Sequence, residues 1–221
     1  MSLTFDPAEA LVLLRRKDKL LAKVIREAGP FTLKPERMVS PFHALLQAIV
    51  HQQLSGKAAK TIYGRVAALV PKPKKPTPED LLRLKEKDLR GAGLSNNKYL
   101  AIRDLAEKTL DGTVPTLARL RKMSDLEIVE RLTEVRGIGV WTVEMLLMFR
   151  LGRPDVLPVA DLGVRHGFKL TYGLPEMPHV DHLTEHAERW RPFRSVASWY
   201  MWRAVDLHKA KTVKATAQPK S

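Results

Sequence analysis

The chain has 221 residues, 44% of them hydrophobic, which is enough for one large domain or two small ones with a real core. Lys and Arg total 38 against 24 Asp and Glu, a formal charge of +14 that favours a polyanionic partner, since each basic contact to a phosphate releases counterions; ribosomal and membrane-surface proteins are as basic, so charge alone does not choose nucleic acid. The absence of cysteine excludes disulfides, thiolate zinc sites, Cys-ligated iron–sulfur clusters and a cysteine nucleophile, and fits a reducing cytosol.

The opening MSLTFDPAEALVLL has an early acid and no basic run before its apolar residues, so no signal peptide is expected. No apolar run approaches the roughly 20 residues that span a bilayer. Residues 6–28 read as a helix capped by Asp6, with Pro7 in its first turn and Leu11, Leu14, Leu21, Val24 and Ile25 at helical spacing. Gly29-Pro30 ends it, and 31–40 read as a loop. Ser40-Pro41 opens a helix to about Val50, and Lys57 to Val70 is helical again. Between them His51-Gln52-Gln53-Leu54-Ser55-Gly56 reads as a break. Leu54 there is either a residue packed inside a helix–helix turn, which burial statistics for Leu favour, or a wedge pushed between bases with Gln53 beside it.

PKPKKPTP (71–78) reads as a basic connector, after which Thr77 and Pro78 start a helix carrying Leu81, Leu82, Leu84 and Leu89. Arg90-Gly91-Ala92-Gly93-Leu94 precedes a helix over about 95–110, and Arg136-Gly137-Ile138-Gly139-Val140 precedes another, a faint internal repeat of two glycine-hinged hairpins. Residues 113–122 read as a connector. Ser124-Asp125-Leu126-Glu127 is a capping box, and its helix ends at Val135. Val140 to about Leu151 is helical and apolar, RPDVLPVA (153–160) is extended, and helices follow at about 161–172, 181–189 and 192–208. KAKTVKATAQPKS (209–221) reads as a mobile basic tail. No segment alternates strictly, so the class is all-α, with about ten helices joined by short loops.

Gly137 and Gly139 let a tight turn form and let backbone approach another molecule. The N–H groups of Gly137, Gly139, Val140 and Thr142 then form an anion-binding concavity suited to a DNA phosphate, and Gly93 with Lys98 is a candidate for a second. Such a grip positions without reading bases. The alternative is an ordinary turn between core helices. Asp161 falls at a helix start, either as a plain N-cap or as a carboxylate placed for chemistry. The histidines at 166, 179, 182, 186 and 208 form no metal motif, and His182 and His186 read as solvated.

VRGIGVWTVEMLLMF (135–149) followed by VLPVADLGVRHG (156–167) resembles the helix–hairpin–helix DNA glycosylase superfamily, and within it the alkylated-base (3-methyladenine) glycosylases. PFHALLQAIVHQQLSGKAA (41–59) is similar to their helix and wedge loop, and ERWRPFRSVASWYMWR (188–203) to their final helix. The likeness runs from about residue 40 to 205, and the short lead before it leaves no added N-terminal β-domain to expect. It implies a helix–hairpin–helix glycosylase fold, with two helical subdomains flanking a DNA-binding cleft. Residues 1–40 plus 153–208 are expected to form one, 41–152 the other, and 209–221 the tail.

The resemblance implies that Asp161 is the catalytic carboxylate, stabilising the positive charge that develops on the sugar and orienting the attacking water. It raises the wedge reading of Gln53 and Leu54 above the buried one. Bifunctional members carry a lysine just after the hairpin, where this chain has Trp141, so a monofunctional enzyme without lyase activity is expected. Trp141 and Trp202 become candidates to stack on a flipped cationic base, against core packing as the alternative. The expected function is excision of alkylated purines, of 3-methyladenine and 7-methylguanine type, from double-stranded DNA, leaving an abasic site. The rival is a non-catalytic DNA-binding or damage-recognition module. No cofactor or metal is required; the family adds only a monovalent cation at the hairpin. A monomer is expected, in the cytoplasm, at the nucleoid or in a nucleus according to the host.

Overall fold

Caps and breakers cut the chain into helices, and a computed structural model describes residues 3–71 and 75–217 of it. The expected helix over 6–28 is two helices, α1 (Pro7–Lys17) and α2 (Lys19–Ala28). Between them Asp18 has extended backbone, and its carboxylate accepts from Leu21 N at 3.0 Å, capping the second helix. The break escaped the sequence reading because the leucine spacing continues across it, and an N-cap Asp inside an apolar stripe looks like one more surface acid.

Ser40 caps α3 (Pro41–His51) and Ser55 caps α4 (Gly56–Ala68). The helix expected after Thr77 is split into α5 (Pro78–Arg83), opened by a Thr77–Asp80 capping box, and α6 (Glu86–Gly91). Then come α7 (Asn96–Leu110), a short α8 (Leu117–Leu120) inside the expected connector, and α9 (Asp125–Thr133) with the expected Ser124–Glu127 capping box. The run after the hairpin is α10 (Val140–Leu146) and then a π-helical turn, Leu147–Leu151. Next are α11 (Leu162–Tyr172), α12 (Val180–Ala187) with a 3-10 turn at Glu188–Trp190, and α13 (Arg194–Ala217). The last helix runs nine residues beyond its expected end at 208, through most of the stretch expected to be a mobile tail. Lys and Ala are good helix formers, and no Pro or Gly interrupts them before Pro219. Residues 72–74 of the basic connector and 218–221 of the tail lie outside the described residues. The described residues contain no strand, so the fold is all-α, and none of their helices is long and apolar enough to cross a membrane.

The chain divides into two compact units, Met1–Glu36 with Leu147–Ser221, and Arg37–Leu146; the boundaries expected after 40 and 152 fall after Glu36 and Leu146. In the first unit α13 is the central helix, packed on α1, α2 and α11. Its first half is largely buried, with Val196, Ala197, Tyr200 and Met201 fully buried among Leu14, Leu21, Ile25, Phe168 and Trp190. In the second unit α3 packs on α4 and α7, α5 on α7, and α9 on α10, around Leu45, Leu46, Ile49, Ile102, Leu105 and Leu132.

One polar cluster sits inside the first unit. Asp18, with a side chain only 3% exposed, accepts from Tyr172 Oη at 2.5 Å and Trp190 Nε1 at 3.0 Å, and pairs with His186 Nε2 at 3.1 Å. Burial alone would raise its pKa; the bonds from His186, the Leu21 N–H, Tyr172 and Trp190 outweigh that and hold the carboxyl well below the usual range. Burial first, and then the bond to Asp18, push the Tyr172 phenol far up. His182 is exposed as expected, but His186 is not solvated: its side chain is 12% exposed and its ring edge meets Phe168 and Tyr172.

Candidate functional site

The hairpin and the QQLS loop both belong to the second unit. Gly137 takes φ +77°, a left-handed turn that an L side chain strains to adopt, and Ile138 behind it is buried. Asp104 on α7 accepts from the Arg136 N–H at 2.7 Å, and Lys108 bridges Asp104 and the Glu134 carbonyl, so the turn is held from below. Gly137, Gly139 and Val140 are exposed, and among the described residues no hydrogen bond engages their N–H groups. The Thr142 N–H differs: it donates to the Gly139 carbonyl at 3.0 Å and closes the first turn of α10. The expected concavity therefore narrows to three amides.

The faint repeat is real in geometry but offset by two residues from the sequence alignment. In the first copy the positive φ belongs to Gly93 (+106°), in the second to Gly137, and each is followed three residues later by a helix start, Asn96 and Val140. The match is thus Gly93 to Gly137 and Leu94 to Ile138, both of the latter pair buried. In this first copy the expected phosphate donors turn inward. The Gly93 N–H donates to Arg90 O at 2.9 Å, and the Lys98 ammonium donates to the carbonyls of Val50 (2.8 Å) and Gln52 (2.7 Å) at the end of α3. Burial lowers the Lys98 pKa. Lys98 is a clamp on the loop in this structure.

That loop is strained and held. Gln53 has φ +57°, Leu54 N donates to His51 O at 3.2 Å, and the Gln52 side-chain amide donates to Gly137 O at 2.8 Å. Leu54 is 38% exposed, so the packed-turn reading fails and its side chain is presented to solvent. Gln52 escaped the sequence reading, because nothing in a Gln-Gln pair says which amide will find a carbonyl 85 residues away. Trp141, in the first turn of α10, is 49% exposed; it is not a core residue.

Asp161 belongs to the first unit. Two prolines, Pro154 and Pro158, keep the preceding segment extended, and the start of α13 staples it down. Ser195 Oγ donates to Arg153 O at 2.7 Å and accepts from Val156 N at 2.9 Å, while Arg194 forks onto the Asp155 carboxylate at 2.8 and 3.0 Å. Asp161 is then the N-cap of α11, its Oδ1 accepting from Val164 N at 2.8 Å. The same oxygen accepts from Trp202 Nε1 at 2.8 Å. The Trp202 ring stacks on Phe149 of the π-helical turn, with centroids 5.7 Å apart and planes 26° apart. So Trp202, expected to face a base, donates its indole N–H to the carboxylate in this structure. Ser195, Arg194 and Phe149 carried no sequence signal for this site. Among the described residues no group of His and carboxylates is arranged to hold a metal ion.

Comparisons with known proteins identify the family. Residues 46–192 match the family described as HhH-GPD superfamily base excision DNA repair protein. Over 193 residues the chain is 35% identical to DNA-3-methyladenine glycosylase 1 of Schizosaccharomyces pombe, covering 86% of this chain and 84% of that one. A crystal structure of DNA-3-methyladenine glycosidase from Bacillus halodurans is similar with a TM-score of 0.82 and 36% identity, over 96% of this chain and 94% of that one. The S. pombe 3-methyladenine DNA glycosylase (Mag1) in complex with abasic DNA is similar with a TM-score of 0.77 and 34% identity, over 88% and 95%. The hairpin between α9 and α10 and Asp161 at the head of α11 both lie inside the matched span, and the chain belongs to the HhH-GPD superfamily of base excision DNA repair proteins.

Proposed function

We propose that the protein is a monofunctional DNA glycosylase that removes alkylated purines, of 3-methyladenine and 7-methylguanine type, from duplex DNA and leaves an abasic site. The observation that carries this reading is Asp161, a carboxylate fixed through one oxygen by the Val164 N–H and the Trp202 indole, in a chain whose relatives are named 3-methyladenine glycosylases. The amides of Gly137, Gly139 and Val140 grip a backbone phosphate and set the register. The target nucleotide leaves the stack at a cost of a few kcal/mol, and Leu54, with Gln53 beside it, fills the gap. The flipped base is cationic, so the aromatic faces of Trp141 and Trp202 attract it. As the N-glycosidic bond breaks, its electron pair goes to the base, and a positive charge grows on the sugar beside Asp161. Water, oriented by the carboxylate, bonds to the anomeric carbon and gives its proton to Asp161, which passes it to solvent.

An alkylated purine is already a good leaving group, which is why one carboxylate suffices. At position 141, where lyase members of the superfamily carry an amine, this chain has an indole, so no Schiff base forms and the strand stays intact. Hydrolysis needs no cofactor. A monovalent cation at the hairpin would be held by backbone carbonyls, which keep a second lone pair even where they accept a hydrogen bond, and no step runs through one. The protein acts as a monomer wherever the host keeps its DNA, at a nucleoid in the cytoplasm or in a nucleus.

The test is incubation with methylated duplex DNA, with released bases identified and strand breaks scored before and after alkali. Methylated purine in the supernatant, with breaks only after alkali, is the expected result. Tight binding without release would instead support a non-catalytic recognition module. Breaks without alkali would overturn the inference from Trp141.

A further inference from the structure

Two glycines one helical turn apart, Gly163 and Gly167, put a bare stripe of α11 against α13. At Gly167 an added Cβ would lie 1.9 Å from the Met201 carbonyl oxygen, so the two backbones approach closer than any side chain permits. At Gly163 an added Cβ would lie 2.7 Å from Trp202 Cδ1, 2.9 Å from Trp202 Nε1 and 3.1 Å from Asp161 Oδ1. The neighbour at Gly167 is backbone of the next helix. The neighbours at Gly163 are the two partners of one hydrogen bond, Trp202 Nε1 to Asp161 Oδ1. Neither glycine has the positive φ that would demand glycine for its own sake, so each is there for the space it leaves.

We infer that Gly163 is a positioning residue for base excision: its missing side chain is the slot through which the Trp202 indole reaches Asp161 and fixes the plane of the carboxylate. The inference rests on Asp161 being the reacting carboxylate. Gly167 brings the helices together, and Gly163 converts that approach into a defined carboxylate geometry. With one oxygen held by two donors, the carboxylate cannot rotate freely about its last bond, and its other oxygen keeps a fixed direction. A methyl group at 163 pushes the indole away, because the opposite boundary is Asp161 itself. The carboxylate then keeps its Val164 cap but loses the Trp202 tether. The sequence held the signal as Gly-x-x-x-Gly within DLGVRHG, but that spacing names only a close helix approach, not what the approach delivers.

The experiment measures single-turnover release of methylated purine at saturating enzyme, DNA affinity, melting temperature, and the amide-region NMR resonance of the Trp202 indole N–H, assigned by its loss in Trp202→Phe. Gly163→Ala is expected to slow release about tenfold or more, since a hydrogen bond to a charged group is lost from the reacting carboxylate, with affinity changed less than about threefold. The Trp202 indole resonance shifts and exchanges faster with solvent. In a Trp202→Ala background, where the slot is empty, Gly163→Ala costs less than about threefold. Wild-type release by Gly163→Ala, or an equal loss in both backgrounds, would overturn the inference. Trp202→Phe decides the matter independently should Gly163→Ala not fold: it keeps the glycine and an aromatic face but removes the donor, so full activity would sink the positioning role. Asp161→Asn is run beside them. If it still releases bases, the catalytic reading itself has failed, and that result is distinct from a failure at Gly163 alone.

Discussion

The Gln52 side-chain amide donates to the Gly137 carbonyl at 2.8 Å, so the QQLS loop and the glycine hairpin form one connected surface of the second unit. Lys98 holds the loop from the other side through the Val50 and Gln52 carbonyls. On the proposed roles, this coupling lets the phosphate grip set where the wedge stands. Gln52→Ala should therefore cost about 1 kcal/mol of stability, the usual net worth of a hydrogen bond, and lower base release from duplex DNA several-fold. Thermal melting and single-turnover release check both halves. Lost stability with unchanged release would uncouple the loop from the hairpin.

Leu54 is exposed and anchors no core, so Leu54→Ala should leave the melting temperature within about 1 °C of wild type. On the proposed wedge role it should slow release from duplex DNA about tenfold. The loss should shrink when the damaged base is mispaired, because flipping then costs less. An equal loss on both substrates would argue against a wedge.

Asp161 has a structural duty as well as the proposed chemical one, and two substitutions separate them. Asn caps helices as well as Asp, so Asp161→Asn should keep the fold and DNA affinity while release falls about a hundredfold or more. Asp161→Ala should lose release and about 1 kcal/mol of stability besides, a drop of about 2–4 °C for a chain of this size. Melting curves of the two variants, set beside their release rates, make the comparison.

Acid should reach the first unit through Asp18. Its folded pKa lies below its unfolded value, so its contribution is complete above the ordinary carboxylate range and is lost as pH falls through and below about 4. Asp18→Ala strands the Tyr172 hydroxyl, the Trp190 N–H and His186, and should cost about 3 kcal/mol, or about 6–12 °C at neutral pH. The variant should also lose much of the wild type's destabilisation between about pH 4 and pH 2, read by urea melts across that window. A parallel loss in both proteins would move the acid sensitivity elsewhere.

The sequence by itself determined the all-α class, most helix starts, the glycine hairpin, the superfamily and Asp161 at the head of a helix. These are local features: a cap is set within four residues, a hairpin within six, and apolar spacing within a few turns. Tertiary structure alone decided what those features meet. Asp18 broke a helix that periodicity ran straight through, because three partners from beyond residue 170 made its burial favourable. Lys98 and the Gly93 amide turned inward although both looked like phosphate ligands, since carbonyls at the end of α3 and in Arg90 lay within reach. Leu54 stayed exposed against the statistics for leucine because Gln52 and Lys98 hold its loop outward. Trp202 found Asp161 across 41 residues only because two glycines let α11 and α13 approach. Each outcome depends on which groups distant parts of the chain bring within about 3 Å, the hydrogen-bond range, and local sequence does not encode that.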